Sequence, residues 1–249
     1  MSEDNTKVPE AASGNRVSRF MRRHPVLTGL AALIAITYLY IQWAYPTYRL
    51  RYRLTVEVET PNGLKTGSSV IESKREEHIV VIPGVLPESW RVTGEAVFVD
   101  LGDGKNLIVT LTNRSSGLKD SVSAAGLPYS PGPDLKVSGY PARWRAVKRL
   151  KTRNIAPERL PTIVTFTDIN DPKTVKRVDP RNLAASFGED YALKRATVEV
   201  THDVVSEGIE GKLSWLRALK GGYLHGGFSS RGAPYGLYGG QFKSKGLSP

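Results

Sequence analysis

The chain has 249 residues, of which 40% are hydrophobic and 24% charged, a balance that excludes disorder along its full length. It contains no cysteine, which excludes a disulfide scaffold, thiolate metal sites and cysteine catalysis. The formal net charge is +11, and a chain of this length forms one large domain or two small ones at about 100–200 residues per domain.

The strongest signal is a segment near the N-terminus, between Pro25 and Tyr48, that holds no charged residue. Its apolar part, 26–45, is about 30 Å long as a helix, which matches the hydrocarbon core of a bilayer. Arginines precede it, and aromatic residues suited to a membrane interface crowd its far end. We therefore predict a transmembrane helix at 25–45. A cleaved signal peptide and a buried soluble helix are the alternatives, but the apolar run is long for the first and unusually free of charge for the second.

The flanking charges favour a cytoplasmic N-terminus by a small margin. Four arginines lie within about 15 residues before the segment, against three after it. A short tail before the segment and a long domain after it favour the same orientation. Residues 1–24 are rich in Ser, Asn, Glu and Arg, and we expect them to form a disordered cytoplasmic tail.

Residues 46–220 are predicted to form a β-rich domain on the other side of the membrane. Residues 48–59 alternate between apolar and polar side chains, which is typical of a half-buried strand. Asn62-Gly63 then indicates a tight turn, so that 48–72 is predicted as a hairpin. Further expected elements are a strand at 78–82, a hairpin of 91–101 and 106–113, a helix at 140–151, a strand at 160–167, a helix at 180–187 and a strand at 193–201. The expected fold class is α+β, mostly antiparallel, with one or two short helices.

Two segments lack such periodicity. Residues 115–139 are rich in Ser, Gly and Pro and are predicted as a long loop and a candidate boundary between two lobes. Residues 221–249 combine glycines with aromatic residues and are predicted as a flexible or loosely packed C-terminal tail. The alternative for this tail is a segment that becomes ordered on a partner.

No catalytic constellation stands out in the sequence. The four histidines lack paired ligand spacing. Gly67-Ser68-Ser69 lacks the second glycine of a nucleophile elbow, and two exposed serines in a hairpin strand are the simpler interpretation. Alternating oxygen ligands at 168–171 suit calcium, but the bend glycine and distal glutamate are missing, so an Asx-type turn is the better account. We predict no catalytic, cofactor-binding or metal-binding residue, and no cofactor.

Basic residues cluster on the polar face of the first predicted strand and around the 140–151 helix. They are candidates for contact with anionic lipid, because each basic group near such a surface contributes about 1 kcal/mol. An ordinary solvated surface is the competing interpretation, and nucleic acid is not an expected partner of a domain across the membrane. The candidate lipid-contact residues are Arg49, Arg51, Arg53, Arg143, Arg145, Lys148 and Arg149.

Four blocks of sequence carry a resemblance to known proteins. They are GSSVIE at 67–72, LPTIVTF at 160–166 with NDP at 170–172, LKRATVEV at 193–200, and LSWL at 213–216. With these blocks the chain resembles a group of uncharacterised proteobacterial membrane-anchored proteins over most of residues 46–220. The group has no assigned activity, so the resemblance implies only a location in the bacterial envelope. The expected location is the inner membrane, with a cytoplasmic N-terminus and a periplasmic C-terminal domain.

Together these features predict a single-pass membrane-anchored envelope protein of binding or structural type. Membrane lipid and another envelope protein are the expected partners. The alternative is an envelope enzyme, such as a hydrolase whose site is not visible as a local motif. The missing motifs favour a protein without enzymatic activity, although serine and carboxylate sites often leave no local trace.

Overall fold

The structure is a computed structural model, and it describes residues 24–77, 88–112, 123–219, 222–224 and 237–245. It divides into two compact units, Met1–Pro46 and Thr47–Pro249. The division does not fall at 115–139, where a lobe boundary was predicted. The predicted cytoplasmic tail, residues 1–24, lies outside the described residues except for His24. The predicted strand at 78–82 also lies outside them.

The described part of the first unit is a single helix, α1 (Pro25–Ala44). Proline suits the first position of a helix, because its fixed φ is helical and its missing N–H would have no partner there. No residue of α1 is charged, and its large apolar side chains are exposed on every side, from 37% for Ile41 to 82% for Val26. Among the helices of the described residues, none meets the length and apolarity that crossing a membrane requires.

The second unit contains two antiparallel sheets. The first has six strands in the order β10-β3-β2-β1-β9-β6, and the second has four in the order β4-β5-β7-β8. The strands are β1 (Thr47–Thr60), β2 (Gly63–Glu77), β3 (Glu88–Glu95), β4 (Val97–Gly102), β5 (Lys105–Val109), β6 (Thr152–Asn154), β7 (Ile163–Phe166), β8 (Val175–Val178), β9 (Ala192–Val200) and β10 (Lys243–Lys245). The helices are α2 (Tyr140–Leu150), α3 (Ala184–Phe187) and α4 (Trp215–Leu219). The predicted β-rich, antiparallel α+β fold is thereby confirmed.

Strand β1 lies at the centre of the first sheet, where it pairs with β2 over its whole length and with β9. The predicted alternation is confirmed. Five of the six apolar side chains predicted on the inward face are buried, namely Leu50, Tyr52, Leu54, Val56 and Val58, whereas Tyr48 is half-buried. The side chains between them lie on the opposite face, where they are exposed or half-buried. One face of this sheet therefore supplies a large share of the largest core cluster.

The predicted strand at 91–101 is wrong, because the chain changes sheets in its middle. Strand β3 ends at Glu95 in the first sheet, and β4 begins two residues later in the second. Gly94 has φ +139°, a value that favours glycine, and the backbone N–H of Ala96 donates to the carbonyl oxygen of Phe242 at 2.8 Å. Of the predicted second hairpin, only the pairing of β4 with β5 is confirmed.

The sheets approach each other closely at Gly67 in β2. A Cβ atom at this position would lie 2.2 Å from the carbonyl oxygen of Phe98 in β4. Backbone cannot yield as a flexible side chain does, so any larger residue at position 67 must push the two strands apart. This contact explains the glycine of the Gly67-Ser68-Ser69 motif by packing alone.

The C-terminal segment differs from the loosely packed tail that its composition predicts. Strand β10 pairs with β3 at the edge of the first sheet. Leu237 and Phe242 are buried in a second core cluster, which also contains Phe166 and Trp215. The prediction is therefore wrong for residues 237–245. Residues 225–236 and 246–249 lie outside the described part of the chain.

Two of the remaining predictions concern helices. The predicted helix at 140–151 is confirmed as α2. At 180–187 only α3 is helical, because Asp179 accepts the backbone N–H of Arg181 within a turn and does not cap a helix. The predicted stop is confirmed, since Gly188 follows α3 with φ +116°.

Candidate functional site

Helix α2 packs against the start of β1, the strand that follows α1 in the chain. The ring of Tyr48 contacts Tyr140 edge-on at 5.0 Å and Trp144 at 5.7 Å between ring centroids. The indole Nε1 of Trp144 donates to the carbonyl oxygen of Arg49 at 3.3 Å. Val147 is buried against Leu50 in a third core cluster. The apolar side of α2 is thus fixed to the sheet, and its basic side chains lie on the remaining surface.

An arginine inside an aromatic cluster strengthens this attachment. The guanidinium of Arg75 in β2 lies over the ring of Tyr140 at 4.4 Å, with the rings of Trp90 and Tyr48 at 5.8 and 6.0 Å. Its Nε donates to the carboxylate of Glu88 at 2.8 Å. That hydrogen bond holds the pKa of the Glu88 carboxyl below its usual value. Arg75 therefore has a structural role, because aromatic faces and a carboxylate already satisfy its charge.

The structure divides the seven predicted lipid-contact residues into two groups. Arg51 forms an ion pair with Glu72 at 2.8 Å, and Arg53 forms one with Asp203. The other five have no carboxylate partner among the described residues. Four of them lie on α2, and we call Arg143, Arg145, Lys148 and Arg149 the α2 basic surface. The fifth, Arg49, lies on the face of β1 opposite to Leu50.

Two members of the α2 basic surface have other contacts. Arg143 donates from Nε to the carbonyl oxygen of Val137 at 3.0 Å, which leaves its charge uncompensated. The ammonium of Lys148 lies 4.4 Å from the centroid of the Trp144 ring. The result is a cationic surface with an aromatic residue in its middle, next to the first residues of β1. Sequence spacing predicted α2 and its charges, but not which arginines are neutralised across strands.

A second candidate site is a cavity that no sequence motif indicates. It lies beside β3, β10 and α4 and has a volume of about 670 Å³, within the range of about 300–1,000 Å³ typical of ligand pockets. Its apolar lining comes from Trp90, Val92, Leu111, Ala125 and Leu216. Its charged lining comes from Arg91, Lys243, Lys245, Arg217 and Glu210. Four cations and the Glu210 carboxylate thus lie around an apolar wall.

The polar groups at this cavity differ in how fully they are paired. Lys243 forms ion pairs with Glu95 at 3.2 Å and with Glu210 at 3.3 Å. The Nε atom of Arg91 is buried without a hydrogen-bond partner and lies 3.5 Å from a carboxylate oxygen of Glu76. The hydroxyl of Thr112 is also buried without a partner. Buried donors of this kind are rare in proteins, and they mark positions where an acceptor would be stabilised.

The sites considered from sequence have structural roles. At 168–171 the Asp168 carboxylate accepts the backbone N–H of Asn170 at 2.9 Å, so the predicted Asx-type turn is confirmed. Ser69 is buried and donates to the carbonyl oxygen of Glu95 at 2.7 Å, so the prediction of two exposed serines is correct only for Ser68. The described ranges contain no group of three or more His, Cys, Asp or Glu residues able to hold a metal ion.

No protein-family model, curated protein or solved structure matches the chain. The resemblance to proteobacterial membrane-anchored proteins therefore stays a prediction.

Proposed function

We propose that the chain is a single-pass membrane-anchored binding protein of the bacterial envelope, with α1 in the inner membrane and the following unit in the periplasm. The observation that carries the proposal is the surface of α1. Its 20 residues are uncharged, and eleven large apolar side chains are exposed around its whole circumference. A helix that is apolar on every side is stable only within apolar surroundings, which lipid chains supply.

The length of α1 and the size of its exposed surface support an anchor. At 1.5 Å per residue the helix is about 30 Å long, the thickness of a bilayer core. Burying each large apolar side chain stabilises by about 1.5–3 kcal/mol relative to water, so lipid is strongly preferred over solvent.

Lysines in the middle of α1 are expected to release the chain from membranes. In the double variant Leu33→Lys, Ile36→Lys, each charge near the bilayer centre costs about 2.5–3.5 kcal/mol. The full chain should stay in the membrane pellet after alkaline carbonate extraction, whereas the variant should move to the supernatant. Leu64→Lys is the matched control, because this leucine of β2 is 55% exposed and outside α1. Release of the unaltered chain would overturn the anchor.

The orientation of the chain is tested separately. A reporter that is active only outside the cytoplasm, fused after Pro249, is expected to be active. The N-terminal arginines and the long C-terminal unit both favour this orientation. Activity of a cytoplasmic reporter at the same position, with an inactive external one, would reverse the topology and leave the anchor intact.

The α2 basic surface suits the headgroups of anionic lipid. Only a four-residue step separates Ala44 from Tyr48, so their Cα atoms are at most about 14 Å apart at about 3.6 Å per residue. Electrostatic screening acts over about 8 Å at physiological salt, so only charges near a lipid surface can be attracted to it. The four cations of the α2 basic surface provide that attraction, whereas Arg51 and Arg53 are neutralised by their ion pairs.

Fluorescence from a single label on α2 is expected to report this contact. The chain has no cysteine, so Leu150→Cys, at a position 40% exposed, creates a unique attachment point. In the reconstituted full chain, an environment-sensitive label should shift to the blue with phosphatidylglycerol but not with phosphatidylcholine alone. The shift should decrease as salt rises, because the attraction is electrostatic.

Two charge-removal variants distinguish contact of α2 with anionic lipid from an ordinary solvated surface. Changing Arg143, Arg145, Lys148 and Arg149 to Gln should abolish the lipid-dependent shift. Changing Arg51 and Arg53 to Gln should leave most of it, because carboxylates already neutralise these two side chains. Equal spectra in both lipids, or equal effects of the two variants, would leave α2 as an ordinary solvated surface.

A further inference from the structure

We propose that the cavity beside β3, β10 and α4 binds a small amphiphile with an anionic head, that is, an apolar chain with one carboxylate or phosphate group. The site lies within the Thr47–Pro249 unit, so the inference does not depend on the membrane anchor. Volume, apolar lining and charge point to the same ligand class.

The apolar wall accounts for the chain of the ligand. Leu111 belongs to the first core cluster and Leu216 to the second, and both line the cavity. The space therefore adjoins two separate parts of the hydrophobic core, with Trp90 as a further large apolar surface. A space of about 670 Å³ at this junction is large enough to hold a small ligand. An alkyl chain would extend the core on both sides.

The charges account for the head. The lining cations Arg91, Arg217, Lys243 and Lys245 face the carboxylates of Glu76, Glu95 and Glu210, so four positive charges meet three negative ones and one positive charge is in excess. A cationic ligand is therefore disfavoured. Lys245 has no carboxylate partner among the described residues and is exposed, so its ammonium is available to an anion.

Two arginines supply guanidinium groups at this cavity, Arg91 and Arg217, and their side chains are 41% and 75% exposed. Guanidinium geometry matches the oxygens of carboxylate and phosphate groups, so either head satisfies the same donors.

Photolabelling of the full chain tests the inference and separates the two heads. The probe is a twelve-carbon fatty acid with a diazirine in its chain, added to membranes that contain the protein. Adducts are mapped by peptide mass spectrometry, so that labelling of α1 by bulk lipid is counted apart from labelling of the cavity. We expect adducts on the peptides that hold Trp90 and Leu216. Dodecanoate or dodecyl phosphate should compete with the probe about tenfold better than dodecanol, and the stronger of the two anions identifies the head.

Two variants and a control make the result specific. The double variant Arg217→Glu, Lys245→Glu changes two exposed side chains and should reduce cavity labelling about tenfold, because it replaces attraction by repulsion. Ser123→Trp should fill the cavity and abolish labelling without changing the circular dichroism spectrum. Lys176→Glu, an exposed reversal that does not line the cavity, should have no effect.

Two results would overturn the inference. Equal competition by dodecanol would overturn the anionic head, and labelling that survives both cavity variants would overturn the site. The membrane-release variant of α1 should label its cavity like the unaltered chain. Loss of the anchor and loss of the ligand site are thus distinguishable results.

Discussion

Replacing Arg153 by alanine is expected to lower the free energy of unfolding by about 2–4 kcal/mol. The Arg153 side chain is only 2% exposed, and it donates to both carboxylate oxygens of Asp134 at 2.8 Å. It also donates to the carbonyl oxygens of Pro128 at 2.6 Å and Ser130 at 2.9 Å. One guanidinium thus holds the 128–134 segment against β6. Its removal leaves buried acceptors without donors, which costs more than the net value of each bond.

Urea denaturation of the full chain, followed by tryptophan fluorescence, measures this loss. Arg195→Ala is the control, because Arg195 pairs with Glu57 on the exposed face of the first sheet and should leave the midpoint nearly unchanged. Similar midpoints for the two variants would show that the 128–134 segment does not depend on its buried arginine.

The Arg153 contact also predicts a dependence on pH. Hydrogen bonds from Arg153 hold the pKa of the Asp134 carboxyl below its usual value. A lowered pKa in the folded state contributes stability above the unfolded value, about 3.9, which is lost as the pH falls through the folded value. The difference between the native chain and Arg153→Ala should therefore shrink from pH 7 to pH 3. The part of the stability difference that is due to the two carbonyl acceptors should remain at pH 3. A stability difference that grows as the pH falls would contradict this account.

Truncation of Leu54 in β1 is expected to have an effect of similar size. Leu54 is 1% exposed at the centre of the first sheet, so Leu54→Ala should cost about 2–5 kcal/mol through lost burial and a residual cavity. Leu54→Asp should be worse, because an unpaired charge would enter the core. The matched control is Leu64→Ala, the same substitution at a side chain that is 55% exposed. A Leu54→Ala midpoint equal to that of the control would contradict the role of this face in the core.

The elements that sequence predicts well are those whose pattern is local. The alternation of β1 and the helical spacing of α2 each depend on residues within one element, and both are confirmed. The predicted strand at 91–101 was wrong because the break between β3 and β4 depends on a distant partner. Ala96 bonds to Phe242, so the strand ends where a segment far along the chain takes its N–H.

The C-terminal segment and the cavity could not be predicted for the same physical reason. Glycine-rich composition argues against local order, yet Phe242 is held by the rings of Trp215 at 5.6 Å and Phe166 at 6.0 Å. The cavity combines side chains from separate segments, and no local motif marks such a site. The one available signal was charge, since no acidic residue follows Glu210 and the C-terminal strand contributes two lysines to the lining.

Phe242 also sets the order of events when the protein is made. Synthesis proceeds from the N-terminus, so Phe166 and Trp215 are complete before the residue that covers them exists. Until β10 pairs with β3, the edge of the first sheet and the second core cluster both remain open. The unit therefore becomes fully folded only after residues 237–245 have been released, and a premature stop before 237 would yield an aggregation-prone intermediate in place of a shortened domain.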